Sequence, residues 1–173
     1  MWQSLSPMLN EFHRESATTR RVLDRVPADK LDWTPHAKSM TIGKLANHIA
    51  GVPGGISRIA QNDVHQIDPA AFAPQQPKDK KEILDSFEAS VKAAEQYIES
   101  LTESTATATW RLKAQCGDEI LAIPRVELIR NIMLNHWYHH RGQLSVYLRL
   151  LEVPVPSIYG PSADENPFIP PSN

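Results

Sequence analysis

Cysteine is nearly absent: Cys116 is the single one in 173 residues. No internal disulfide can form, so a packed core must hold the chain, as suits a reducing compartment. Missing too is any run of about 18 apolar residues, which excludes a transmembrane helix. Charge of one sign is also lacking. The formal net charge of −2 gives no electrostatic case for a nucleic-acid or anionic-membrane partner. The opening residues, Met1 to Pro7, carry neither a basic segment nor an apolar core. The expectation is therefore no secretory signal and a cytoplasmic location. What the sequence does have is an ordinary globular balance, 41% hydrophobic and 22% charged, and a length that suits one domain over 1–173.

Apolar residues recur at helical spacing in four stretches. Ser6-Pro7 predicts a first helix, with a capping hydroxyl and a proline at its first position. Met8, Leu9, Phe12, Thr19, Leu23 and Val26 form its stripe, and Pro27 ends it. His13 lies among polar neighbours and reads as exposed. A second helix starts near Thr41 and runs through Leu45, His48, Ile49 and Val52. Pro53 removes a donor and crowds the Ile49 carbonyl, which predicts a kink or break before the helix resumes at Ile56. Residues 62 to 79, with Pro69, Pro74 and Pro77, read as a loop. A third helix is expected from Lys78 to Glu103. Trp110-Arg111-Leu112 and Ile120 to Ile123 suit a short hairpin around Gly117-Asp118. Pro124 opens the fourth and longest helix, to about Leu151. The proline-rich stretch Val153 to Pro161 cannot be helix or central strand, and should pack back as an ordered tail on Val155, Ile158 and Tyr159. With no convincing central strand, the fold class is all-α, a four-helix bundle.

Histidine is where the chemistry concentrates. Three of the seven lie within His136 to His140. At about 100° per residue, His136 and His140 share one helix face, one turn apart. Ile129, Met133, Leu144 and Tyr147 fall on the same side, which places both imidazoles in the middle of the apolar stripe. His48 shares a side with Thr41, Leu45 and Val52 on another helix, so it too points inward. Buried imidazoles need partners. One reading supplies them from Thr41, Asn47 or buried water. The other is a metal ion, since three neutral imidazoles suit zinc, nickel, cobalt, iron or copper and leave a coordination position open. His139 lies about 60° off the His136 direction; it is a fourth ligand, a support for one, or an exposed residue. Cys116 has no basic activator nearby and reads as incidental. Trp137, Arg141, Leu148 and Arg130 project away from the histidines, as a dimer interface or as packing on a neighbouring helix. No carboxylate shares the histidine faces, although Glu11, Glu15, Asp164 or Glu165 could reach them.

Two segments carry a resemblance. Ser39-Met40-Thr41-Ile42-Gly43-Lys44-Leu45-Ala46-Asn47-His48-Ile49 resembles the second-helix motif of the DinB-like (YfiT-related) family. Asn135-His136-Trp137-Tyr138-His139-His140-Arg141-Gly142-Gln143-Leu144, followed by Tyr147-Leu148-Arg149, resembles its fourth-helix motif. Leu31-Asp32-Trp33-Thr34-Pro35 is similar to that family's entry to the second helix. The resemblance implies a homodimeric four-helix bundle with a divalent metal held by three histidines, here His48, His136 and His140. Zinc or nickel come first, then iron, cobalt or manganese. It further implies a small-molecule substrate. The first expectation is a metal-dependent transferase using a low-molecular-weight thiol, because an open metal position can bind sulfur and favour the thiolate. The alternatives are a metal-dependent hydrolase and a non-enzymatic, stress-related metal-binding protein.

Overall fold

Thr41, Asp79 and Thr102 each stand just ahead of a helix and accept the backbone N–H three residues on. Those side chains satisfy donors that a helix start leaves unpaired, and they fix where three of the helices begin. The computed structural model describes residues 3–68, 73 and 75–169. Its elements, in order, are α1 (Ser6–Leu23), α2 (Ile42–Ile59), β1 (Val64–Gln66), α3 (Lys80–Ser100) and α4 (Glu103–Thr107). They continue with β2 (Thr109–Lys113), β3 (Glu119–Pro124), α5 (Arg125–Glu127), a π-helical segment (Leu128–Asn135) and α6 (His136–Leu150). The loop prolines Pro69 and Pro74 lie outside the described residues, as do residues 170–173.

The architecture is mostly helical with a small three-stranded sheet, so the all-α expectation is corrected. β2 and β3 form the anticipated antiparallel hairpin, Trp110 opposite Ile123. Its turn uses Gly117 at φ +96°, a backbone conformation that glycine adopts without steric cost. β1 then pairs with β2 in parallel, Val64 opposite Arg111, inside the stretch expected to be a plain loop. The sheet order is β1-β2-β3. Trp110 is buried and its indole donates to the Ile59 carbonyl at 3.2 Å, which ties the hairpin to the C-terminal end of α2.

Two further details differ from expectation. Ser6 is inside α1 and makes no capping bond, because the helix is preceded by a 3-10 turn over Gln3–Leu5. Pro53 does not break α2, which runs from Ile42 through to Ile59. A proline at 53 leaves the Ile49 carbonyl without its helical partner, and the Trp137 indole donates to that carbonyl at 2.8 Å. Gly54 follows directly. A Cβ there would lie 2.9 Å from Ser90 Cα, so only glycine lets α3 approach this closely, and the Gly54 N–H donates to Ser90 Oγ at 2.7 Å.

The core lies between α1, α2, α3 and α6. Phe12, Leu45, Ile49, Ile83, Ile98, Leu128 and Trp137 are among its fully covered side chains. On α6 the buried residues are Trp137, Arg141, Leu144 and Leu148, a direction about 110° from His136. The apolar stripe therefore centres on Trp137 and Arg141, and the histidines sit at its rim. This corrects the expectation that the imidazoles occupy mid-stripe, and of the two readings of the strip through Trp137 and Arg141 it favours packing on a neighbouring helix. Arg141 is 1% exposed and pairs with Glu15 at 2.6 Å. It also donates to Thr19 Oγ1 and Tyr159 OH. Trp137, Arg141 and Leu148 thus pack against the chain's own helices and offer no interface to a second copy.

Candidate metal centre

His48 is in the middle third of α2, and His136 and His140 are in the first turns of α6. All three are half-buried. Their ring nitrogens converge: one ligating nitrogen from each lies within 4.8 Å of the others. The Nε2 atoms of His48 and His136 are 3.0 Å apart, and each pair of rings meets nearly edge to face. The helix spacing explains the second pair. Residues four apart on an α-helix stack on one face, which puts the His136 and His140 ring centroids 4.3 Å apart.

The donor set fits a metal ion. Bonds of about 2.1 Å from one ion to several imidazoles place their nitrogens about 3.0–3.4 Å apart. His48 and His136 already have that spacing, and the His140 ligand atom lies within 4.8 Å of both. The tautomers suit as well. Gln143 Oε1 lies 2.7 Å from His140 Nδ1; a carbonyl oxygen only accepts, so Nδ1 carries the proton and Nε2 keeps its lone pair. Such an outer hydrogen bond fixes ring orientation and raises ligand basicity. Gln143 was not singled out in the sequence, although its position three residues after His140 is the signal that could have found it.

Electrostatics hold the rings neutral. Burial pushes His48 down to about 4, and the neighbouring His140 and His136 add to the effect. Burial also lowers His136, helped by His140 and His139. In His140 burial outweighs the opposing hydrogen bond to Gln143, so its pKa is lowered too. Neutral imidazole is the form that binds metal. All three rings are therefore in the form that binds metal near neutral pH.

Thr41 and Asn47, the two side chains considered as partners for the imidazoles, bond elsewhere. Thr41 Oγ1 donates to Gln76 Oε1, and Asn47 Nδ2 donates to the Gln75 carbonyl. His139 is exposed beside His140, and the converging group is His48, His136 and His140. His13 is exposed as expected, and pairs with Glu95 at 2.8 Å. Cys116 is exposed in the hairpin turn, with its thiol 3.3 Å from Asp118 Oδ2.

The four carboxylates considered for a catalytic base all have cationic partners. Glu11 accepts both Arg130 terminal nitrogens and the Tyr138 hydroxyl. Glu15 pairs with Arg141, Asp164 with Arg149, and Glu165 with Arg21. A groove of about 580 Å³ does exist, but at the far end of α2 beside Ala60, Tyr97 and Arg125. Ala60 is twelve residues past His48, about 18 Å along a helix. There Arg125 Nε and Tyr97 OH both donate to the Ala60 carbonyl and cap the end of α2.

Comparison with known proteins adds the following. A family model described as DinB family matches residues 1–167. The protein YrdA of Bacillus subtilis (strain 168) is 26% identical over 166 residues, 95% of this chain and 93% of that protein. A DinB-like protein from Bacillus cereus ATCC 10987 superposes with a TM-score of 0.72 at 22% identity, covering 92% of this chain and all of that one. The DinB-like protein YjoA from Bacillus subtilis gives 0.64 at 18% identity, over 85% of this chain and 93% of that chain. At these identities the two solved structures speak for the fold.

Proposed function

We propose, on the premise that the chain belongs to the DinB family, that His48, His136 and His140 hold a divalent transition metal and that the protein is a transferase using a low-molecular-weight thiol. Zinc or nickel is the first choice for the ion, before iron, cobalt or manganese. The observation that carries the reading is the convergence of three neutral, half-buried imidazoles from two helices. When bound, the ion would supply a Lewis-acidic position, open on one side, that favours the thiolate form of a thiol.

The chain's own residues do the rest. Gln143 orients His140 and keeps its Nε2 lone pair aimed at the group. The rim position of the histidines leaves one side of the cluster open to a small substrate. Hydrolysis is the second reading and is weaker on this geometry. It needs a general base near the ion, and Glu11, Glu15, Asp164 and Glu165 are each held by an arginine. A non-enzymatic metal-binding role ranks third.

The same reading takes α1, α2, α3 and the run from α5 to α6 as a four-helix bundle in one cytoplasmic domain, closed by the proline-rich tail. Val155 and Ser157 of that tail are buried. A homodimer would use a surface other than the strip through Trp137. Ile132, Val146 and Leu150 are exposed apolar residues on the same helical run.

Cobalt substitution tests the proposal. A sulfur-to-cobalt charge-transfer band should appear with the correct thiol and vanish in His136→Ala, with Cys116→Ser run alongside to exclude the protein's own sulfur. Ester turnover that rises with pH, and no sulfur band with any cellular thiol, would put hydrolysis first.

A further inference from the structure

The ligand-bearing helices touch twice at the same offset. His48 meets His136, and one residue further along each chain Ile49 meets Trp137, both pairs 88 positions apart. The first contact lies at the half-exposed rim and the second in the core, where Ile49 and Trp137 are fully covered. The core contact exists because of Pro53. An α-helix pairs the carbonyl of residue 49 with the N–H of residue 53, and proline has none. A buried carbonyl without a partner is costly, and the Trp137 indole N–H meets it at 2.8 Å.

Trp137 is itself held firmly. Its ring stacks on Phe12 of α1, centroids 5.7 Å apart, and on Phe87 of α3 at 6.2 Å. The indole therefore has little freedom to follow α2 if that helix slides. One residue of slip along a helix is about 1.5 Å, whereas a ligand set tolerates about 0.5 Å. A single directional bond in the core is enough to decide between those two distances.

We infer that Trp137 is a positioning residue for the histidine cluster: its indole N–H, bonded to the carbonyl that Pro53 leaves open, sets the register of α2 against α6 and so the spacing of His48 and His136. The inference rests on the metal reading only for its consequence, not for the contact itself. It also gives Pro53 a role inside a helix, where proline is otherwise a liability.

Three proteins test it: wild type, Trp137→Phe, and Trp137→Phe combined with Pro53→Ala. Phenylalanine keeps an aromatic ring between Phe12 and Phe87 but removes the donor. Alanine at 53 restores a helical N–H to the Ile49 carbonyl without restoring the link to α6. Zinc affinity by chelator competition should fall about tenfold or more in Trp137→Phe, the scale at which outer supports act. The double variant should recover resistance to urea but not zinc affinity. Recovery of both would overturn the inference, since Trp137 would then act only through the integrity of α2. Unchanged zinc affinity in Trp137→Phe would overturn it equally. In metal-free protein, nuclear Overhauser contacts between the His48 and His136 rings should be present in wild type and lost in both variants; their persistence in either counts against the inference. Contacts present in wild type and lost in both variants, with no uptake of zinc by the wild type, would support the positioning role while removing zinc from the proposed function.

Discussion

Truncating His48, His136 or His140 to alanine leaves two imidazoles, too few to retain a transition metal tightly. Each variant should therefore lose most of its metal on purification without a His tag. His13→Ala and His139→Ala should keep theirs, since neither ring belongs to the converging group. Gln143→Ala should fall between the two sets, about tenfold weaker, because it frees the His140 ring without removing a nitrogen. Metal content by mass spectrometry and zinc competition would order the series. Full occupancy in all three ligand variants would end the assignment. At this scale the histidines were legible in the sequence, since residues four apart must share a helix face and His48 faces inward at the spacing of Leu45 and Val52. The exact depth was not legible. A period locates a side, and the rim of a buried face differs from its centre by little more than one residue's rotation.

Among the elements, α6 shows most clearly what a charge contributes when it is covered. Arg141 sits between α1 and the tail, bonded to Glu15, Thr19 and Tyr159. Glu15→Gln should destabilise the protein by about 3–5 kcal/mol, because it leaves a buried guanidinium without its counter-charge. Pairing Arg141→Met with Glu15→Leu should cost less than Glu15→Gln alone, as two apolar side chains need no compensation. Urea denaturation of the single and double variants would decide; a double variant as weak as the single one would contradict it. The sequence left Arg141 between an interface and packing because arginine is rarely covered unless paired, and its partner lies 126 positions away. β1 was missed for a related reason. Three residues, Val64 to Gln66, form a strand only because β2 presents an edge to them, and no local period records that. The donor that serves the Ile49 carbonyl in place of residue 53, the Trp137 indole, is likewise 88 positions away. The π-helical segment before His136 is a further case, since a fixed 100° step misplaces residues upstream of it. Local pattern gave the helices; the long-range partners gave the exceptions.

At the scale of the whole molecule, the cluster should make stability depend on pH in a defined direction. Histidines in the unfolded chain take up a proton near pH 6.5. In the fold His48 resists protonation down to about 4, and His136 and His140 are lowered as well, burial being the main cause in each. Between those limits the unfolded chain binds more protons, so the free energy of unfolding rises with pH. The contribution is fully present above pH 6.5 and is lost as pH falls towards 4. Glu11, held low chiefly by its bond to Arg130, works in the same direction, but below the ordinary carboxylate range. Its effect therefore separates from that of the histidines. The urea midpoint of metal-free protein should climb from pH 4.5 to 7, and His48→Gln should flatten that climb. Zinc should steepen it, because it binds only the neutral rings of the folded state: at a hundred times its dissociation constant it adds about 2.7 kcal/mol near neutrality, and this gain shrinks as protons compete. A metal-free midpoint that does not move across this interval, or one that moves equally in His48→Gln, would show that the neutral cluster is not what the fold protects.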